Sequence, residues 1–265
     1  MSWNLRREEV LDGEQLRAML QDNPASAARA ILIAAQENMP DAQALLGQIL
    51  LDGTGIEQDA ALALTWFQIA ARNGHAMAIN MAGRCQEHGW GCEPDAAKAA
   101  EYYRQAAEAE LDWGFYNYAN LLATGRGVNK DQARALACYR KAAHMGHAKS
   151  MNLLGRYLEE GLYCERNLPA AHDWYRRSAE GGDFRGQFSH AAVLAEQGQI
   201  EKAITWLRTA LRIGNLNFLR VSRETLMSAP QPEIRAVAIE YYHQASILGD
   251  QRDQMALNEV LNIKA

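Results

Sequence analysis

The chain has 265 residues, 48% of them hydrophobic, and 27 Lys and Arg against 32 Asp and Glu leave a net charge of −5. That balance excludes a surface coated for nucleic acid, which needs clustered positive charge to neutralise phosphates. The start, Met1-Ser2-Trp3-Asn4-Leu5-Arg6-Arg7-Glu8-Glu9, has no apolar run after its basic pair, and the longest aliphatic stretch, Ala30-Ile31-Leu32-Ile33-Ala34-Ala35, falls far below the roughly 20 residues of a bilayer span, so a cytoplasmic protein without membrane insertion is expected.

Residues 4–22 read as a first helix, and Asn23-Pro24 begins the next, with Asn as N-cap and Pro at the first helical position. Ala34-Ala35 lies near the end of that helix, and Asn38 stands where later units carry a capping glycine. A repeat then becomes visible. Gly53-Thr54-Gly55, Gly89-Trp90-Gly91 and Gly125-Arg126-Gly127 follow one another every 36 residues; one step further Gly161 recurs, with Tyr163 in place of the second glycine. Self-similarity at 20 to 50 residues marks a stacked repeat architecture. Each unit reads as a helix, a glycine turn, a second helix and a short return.

The first helices share the column Gly47, Gly83, Ala119, Gly155. A helix interior disfavours Gly relative to Ala by up to about 1 kcal/mol, so the column marks a crossing where the partner helix leaves no room for a larger side chain. After the glycine turn comes a small apolar column, Ile56, Cys92, Val128 and Cys164, in which the cysteines read as reduced packing residues. The second helices carry Trp66-Phe67, Tyr102-Tyr103, Cys138-Tyr139, Trp174-Tyr175, Trp206-Leu207 and Tyr241-Tyr242, each with a small pair four residues later, from Ala70-Ala71 to Ala245-Ser246. That offset sets large beside small on one helix face. Trp66, Trp174 and Trp206 are assigned to the core. Gly74, Gly146, Gly182, Gly214 and Gly249 then suit left-handed caps, and Glu110 interrupts that column, so a different return is expected there. The fifth unit is four residues shorter, in its turn Glu196–Ala203; a sixth starts near Asn215 with a turn at Ala229-Pro230-Gln231-Pro232; Arg252 to Ile263 reads as a terminal capping helix.

The order of these residues resembles the Sel-like repeat (SLR) family, a branch of the tetratricopeptide-like helical repeats. Leu121-Leu122-Ala123-Thr124-Gly125-Arg126-Gly127-Val128 followed by Tyr139-Arg140-Lys141-Ala142-Ala143-His144-Met145-Gly146 carries the likeness best, and the fifth unit is closer to an ordinary tetratricopeptide repeat. The resemblance implies an all-α fold: a right-handed α-solenoid of antiparallel helix pairs, about six to seven pairs plus a C-terminal capping helix. It divides into an N-terminal pair at 1–40, five tandem repeats at 41–215, and a degenerate sixth repeat with its cap at 216–265. It implies an adaptor or scaffold and no chemistry, with first helices lining the concave side.

No catalytic set emerges. The glycine turns lack the strand and the Gly-Lys-Ser/Thr of a phosphate loop. Cys85, His88 and Cys92 have a zinc-like spacing without a fourth ligand, so neither a metal nor another cofactor is expected. His75 and His147, two periods apart, read as surface or packing residues, and Glu159-Glu160 as a solvated face. One face of the first helices remains as the candidate site: Asn80 and Arg84, then Trp113, Tyr116 and Asn120, then Asn152 and Arg156, then Arg185 and Phe188. Asn pairs with a peptide backbone, Arg grips a carboxylate, and Tyr and Trp provide rigid area. The expected ligand is an extended acidic or C-terminal peptide of a protein partner, with a small molecule or cell-wall fragment in the same groove as the alternative. Monomer and dimer are both compatible with the residues.

Overall fold

Asn23 Oδ1 accepts the Ser26 amide at 3.2 Å and Pro24 takes the first helical position, so helix α1 runs Pro24–Gln36. The computed structural model describes residues 22–262; the helix expected over 4–22 therefore lies almost wholly outside the described residues. After α1 come α2 (Pro40–Asp52), α3 (Ala60–Arg72), α4 (Ala76–His88), α5 (Ala96–Glu108) and α6 (Asp112–Thr124). Next are α7 (Gln132–His144), α8 (Ala148–Glu160), α9 (Leu168–Glu180), α10 (Phe184–Glu196) and α11 (Ile200–Ile213). The last three are α12 (Leu216–Met227), α13 (Pro232–Leu248) and α14 (Gln251–Asn262), and no strand occurs among the described residues.

The helices form two compact units, one ending at Asp131 and the other starting at Gln132. In the first, α1 to α6 pack in succession; in the second, α7 to α11 do, followed by α12 to α14, with α8 also meeting α10 and α11 meeting α13. Each unit is thus a stack of helix pairs, the architecture of an α-solenoid. Each pair leaves one apolar face that its neighbour covers.

The turn inside each pair is set by its glycines. Gly53, Gly89, Gly125 and Gly161 end their helices at φ between 68° and 75°, and their amides bond back to Ile49, Cys85, Leu121 and Tyr157. At Gly55, Gly91 and Gly127 the backbone runs so close to the start of an earlier helix that a methyl group would lie 2.2 Å from the carbonyl oxygen of Pro24, Ala60 or Ala96. Tyr163 takes the same left-handed conformation, φ 56°, without being glycine.

The returns between pairs depart from expectation at three places. Glu110 does not change its return: it adopts φ 55°, and the amides of Glu110 and Leu111 bond to Ala107 and Ala106 as those of Gly74 and His75 bond to Ala71 and Ala70. The hydrogen bonds of the helix end dictate the turn, and the residue tolerates a left-handed strain of about 1–2 kcal/mol. Gly214 and Gly249, conversely, have φ of −68° and −103°, because α11 and α13 run on past the 13-residue length of the other second helices.

The glycine column is a crossing point. A methyl group at Gly47, Gly83 or Gly155 would lie 2.7, 2.8 or 2.6 Å from the ring of Phe67, Tyr103 or Tyr175. In the first five pairs the residue that fills the core is therefore the second member, with Trp66 and Trp206 packed against its edge, which qualifies the core assignment of Trp66, Trp174 and Trp206. Those three are half-buried, whereas Phe67, Tyr103, Tyr139, Tyr175, Leu207 and Tyr241-Tyr242 are buried. Neighbouring residues on a helix point about 100° apart, so only one of a pair can face the crossing. Trp174 instead packs edge-on against His144 at 5.1 Å, with Arg177 over its ring.

Three residues, 197–199, connect α10 to α11 where seven, 53–59, connect α2 to α3, as the shortened spacing anticipates. Gln43 donates to Ala35 O at 3.2 Å and accepts from Asn73 Nδ2 at 3.0 Å, but the buried Gln187, four repeats on, has an Oε1 with no partner, and Ile213 stands in the place of Asn73.

Candidate functional site

The face selected on the first helices is built by residues three and four apart. In the first unit it comprises Asn80 and Arg84 on α4 and Trp113, Tyr116 and Asn120 on α6. Asn80 is 2% exposed, and its Oδ1 accepts from Asn117 Nδ2 at 2.8 Å. It ties α4 to α6 and is not displayed to solvent, which corrects its expected exposure. Arg84 is half-buried, its guanidinium 5.0 Å from the centre of the Trp90 ring and its Nη1 3.7 Å from Met81 Sδ. Glu87, one turn along α4, is already engaged: Tyr103 donates to its Oε2 at 2.5 Å, and Arg126 pairs with its Oε1. Among the described residues no carboxylate pairs with Arg84.

Trp90 comes from the middle of a glycine turn, so the turn that ends α4 also supplies the surface on which Arg84 lies. His88 stacks on the same indole at 4.8 Å, and burial, then the charge of Arg84, pushes its imidazole toward the neutral form. Trp113 is 36% exposed and meets Tyr116 edge-on at 6.0 Å; Tyr116 and Asn120 are half-buried.

In the second unit Asn152 is 4% exposed and its Oδ1 accepts from Ser189 Oγ at 2.9 Å. The expected exposure again fails, because a polar side chain in this column is satisfied by the next first helix rather than by solvent. Arg156 is exposed and pairs loosely with Glu160 at 3.6 Å. Arg185 is exposed, lies 4.7 Å above the Phe184 ring and has no carboxylate partner among the described residues. Phe188 is half-buried and meets Phe218 edge-on at 5.7 Å, so part of it belongs to the core of this unit.

Other chemical groups serve the fold. His75 and His147 are N-caps: Nδ1 accepts the Ala78 amide at 3.0 Å in one and the Ser150 amide at 3.2 Å in the other. Asp183 takes over in the next repeat, accepting the Gly186 amide at 2.9 Å. Glu159 is no merely solvated residue, since Tyr175 donates to its Oε2 at 2.6 Å. Cys85 is buried, which pushes its thiol up to about 12, and Cys92 Sγ reaches the Cys85 carbonyl at 3.6 Å. Among the described residues no group of three or more His, Cys, Asp and Glu is placed to hold a metal ion. No described helix is long and apolar enough to cross a membrane.

The residues missed from sequence are Trp90 and the Glu87/Tyr103 and Glu159/Tyr175 pairs. The signal was present for the pairs, since both members recur two periods on.

Against known proteins, the Sel1 repeat model matches residues 40–75, 76–111, 116–147, 148–183 and 235–250, leaving out the shortened fifth unit. A Sel1 repeat protein from Oxalobacter formigenes is similar in structure at TM-score 0.71 and 23% identity, over 96% of this chain and 100% of that one. A protective antigen present in uropathogenic Escherichia coli strains, displaying an SLR fold, is similar at TM-score 0.68 and 24% identity over 94% of this chain; this chain spans 55% of its length. An immunity protein from Pseudomonas aeruginosa matches at TM-score 0.53 and 16% identity, over 79% of this chain and 81% of that one. No curated protein matches. The matched repeats cover more than half of the residues, and the chain belongs to the Sel1 repeat family, whose fold generally mediates protein–protein interaction.

Proposed function

We propose that this chain is a non-enzymatic adaptor that holds an extended acidic or C-terminal peptide of a partner protein on the exposed first-helix face within each unit. One observation carries the reading. Arg84 and Arg185 each have a guanidinium laid on an aromatic ring, at 5.0 Å from Trp90 and 4.7 Å from Phe184, without a carboxylate partner among the described residues. A guanidinium already held over a ring loses less rotamer freedom when a carboxylate arrives, and its planar fork matches that group bidentately. In the second unit Arg156 adds a further positive charge on α8, only loosely held by Glu160. Trp113 supplies rigid contact area. Asn80 and Asn152 stiffen the helices that present these groups.

The test is binding of a fluorescent, end-capped Glu-rich decapeptide and its Gln counterpart to the full chain. The Glu peptide binds and the Gln peptide does not, and Arg84→Glu with Arg185→Glu weakens the Glu peptide by at least about tenfold. Equal binding of both peptides, or no loss in the folded variant, contradicts the reading.

A further inference from the structure

We infer that the α4–α6 face of the first unit reads two points on its peptide: an acidic side chain at Arg84 and a bulky apolar side chain against Met77 and Trp113, three positions apart in a polyproline-II segment. This rests on the acidic-peptide reading and specifies what one unit selects. Met77 and Trp113 occupy the same place in successive repeats, each as the second residue of its helix. They are 39% and 36% exposed, on helices tied together by Asn117 and Asn80, and the Trp113 ring is set by its edge contact with Tyr116. They form an apolar pole at the N-terminal end of the face. Arg84 lies seven residues further along α4, with Asn120 in the equivalent place on α6, and this end is cationic and polar.

Seven residues of helix rise about 10 Å. A β-strand matches that backbone rise poorly from one of its faces, where side chains are about 7 Å apart at i and i+2 and about 13 Å apart at i and i+4. A polyproline-II segment matches it better: with three residues per turn and a rise of about 3.1 Å, positions i and i+3 lie on one side about 9 Å apart. Such a segment has no internal hydrogen bonds, which leaves its amides and carbonyls open to water and to polar groups of the face.

The experiment uses end-capped Pro- and Ser-based nonapeptides carrying one Glu and one Phe at separations of one to five, in both orders. Their dissociation constants for the full chain are read from the change in tryptophan fluorescence. The structure leads to an optimum at separation three, at least about fivefold tighter than at two or four. Trp113→Ser with Met77→Ser removes the optimum, and Arg84→Gln removes the dependence on Glu. If Glu peptides bind through Arg84 with the same strength at every separation, the two-point rule is wrong and the acidic-peptide reading stands. If the optimum survives both sets of variants, the peptide docks elsewhere and the inference fails. If no Glu peptide binds, both fall. The wild-type series alone decides the rule even where a variant does not fold.

Discussion

Tyr175 donates a 2.6 Å hydrogen bond to Glu159 Oε2, and two periods earlier Tyr103 donates one of 2.5 Å to Glu87 Oε2. In both places the ring fills the gap left by a glycine, Gly155 or Gly83, and the hydroxyl fastens the second helix to the end of the first. Burial and then the Glu159 hydrogen bond raise the Tyr175 hydroxyl's titration well above the usual tyrosine range, so it remains a donor at any physiological pH. Tyr175→Phe keeps the ring and removes the donor to a charged acceptor, and is expected to cost about 1.5–3 kcal/mol in urea unfolding. A variant as stable as wild type would show that the bond contributes nothing.

Truncation separates the two members of an aromatic pair. Tyr175→Ala empties the crossing against Gly155 and should cost about 3–5 kcal/mol, whereas Trp174→Ala removes a half-buried ring and should cost roughly half as much. Thermal melts of the two variants side by side check the order. A larger loss at Trp174 contradicts the placement of the core.

Tyr163 is exposed and left-handed at the position where three earlier units carry glycine. Relief of the strain in Tyr163→Gly exceeds the entropy that glycine adds to the unfolded chain, so a gain of about 1 kcal/mol is expected. Denaturant midpoints decide it, and a loss of stability would mean that the tyrosine ring makes contacts worth more than the strain.

The terminal helix α14 is fastened by Asp253, 1% exposed, which accepts from Arg220 Nη2 at 2.5 Å, Arg223 Nη1 at 2.8 Å and the Asp250 amide at 3.2 Å. The Arg220 hydrogen bond is the main reason its carboxyl is held down to about 2. A carboxyl lower in the folded than in the unfolded chain stabilises fully above about pH 4, and that contribution is lost as pH falls toward 2. Asp253→Asn should cost about 3 kcal/mol at neutral pH by removing the buried charge that Arg220 and Arg223 share, and should flatten the acid loss. Urea unfolding at pH 7 and pH 3 reads both effects. An equal acid loss in variant and wild type would overturn the assignment.

Much of the architecture was legible in the residues because a left-handed turn and a close crossing both demand glycine, and demand it once per unit. Gly53, Gly89 and Gly125 mark the turns, and Gly47, Gly83 and Gly155 mark the crossings. Which ring of Trp174-Tyr175 faces the crossing was not legible, since either member is bulky enough and only the helix phase chooses. Asn80 and Asn152 were misjudged for a related reason. A polar residue amid apolar neighbours reads as exposed unless its partner is visible, and Asn117 and Ser189 come into reach only when successive first helices lie side by side. The Arg220, Arg223 and Asp253 network lies where the repeat pattern fades, and no spacing rule joins residues brought together by the last return. The repeat register places Arg84 on the first-helix face, but its footing on Trp90 was hidden inside a turn motif read only for its glycines.

The most direct test of the proposed role is affinity purification with mass spectrometry, comparing the wild-type chain with a folded Arg84→Glu, Arg185→Glu variant in the source cells. The account predicts a defined protein partner with the wild type, its contact mapped by crosslinking to an acidic segment, and loss of that partner with the variant. The same partner recovered in equal amount by the variant would contradict it.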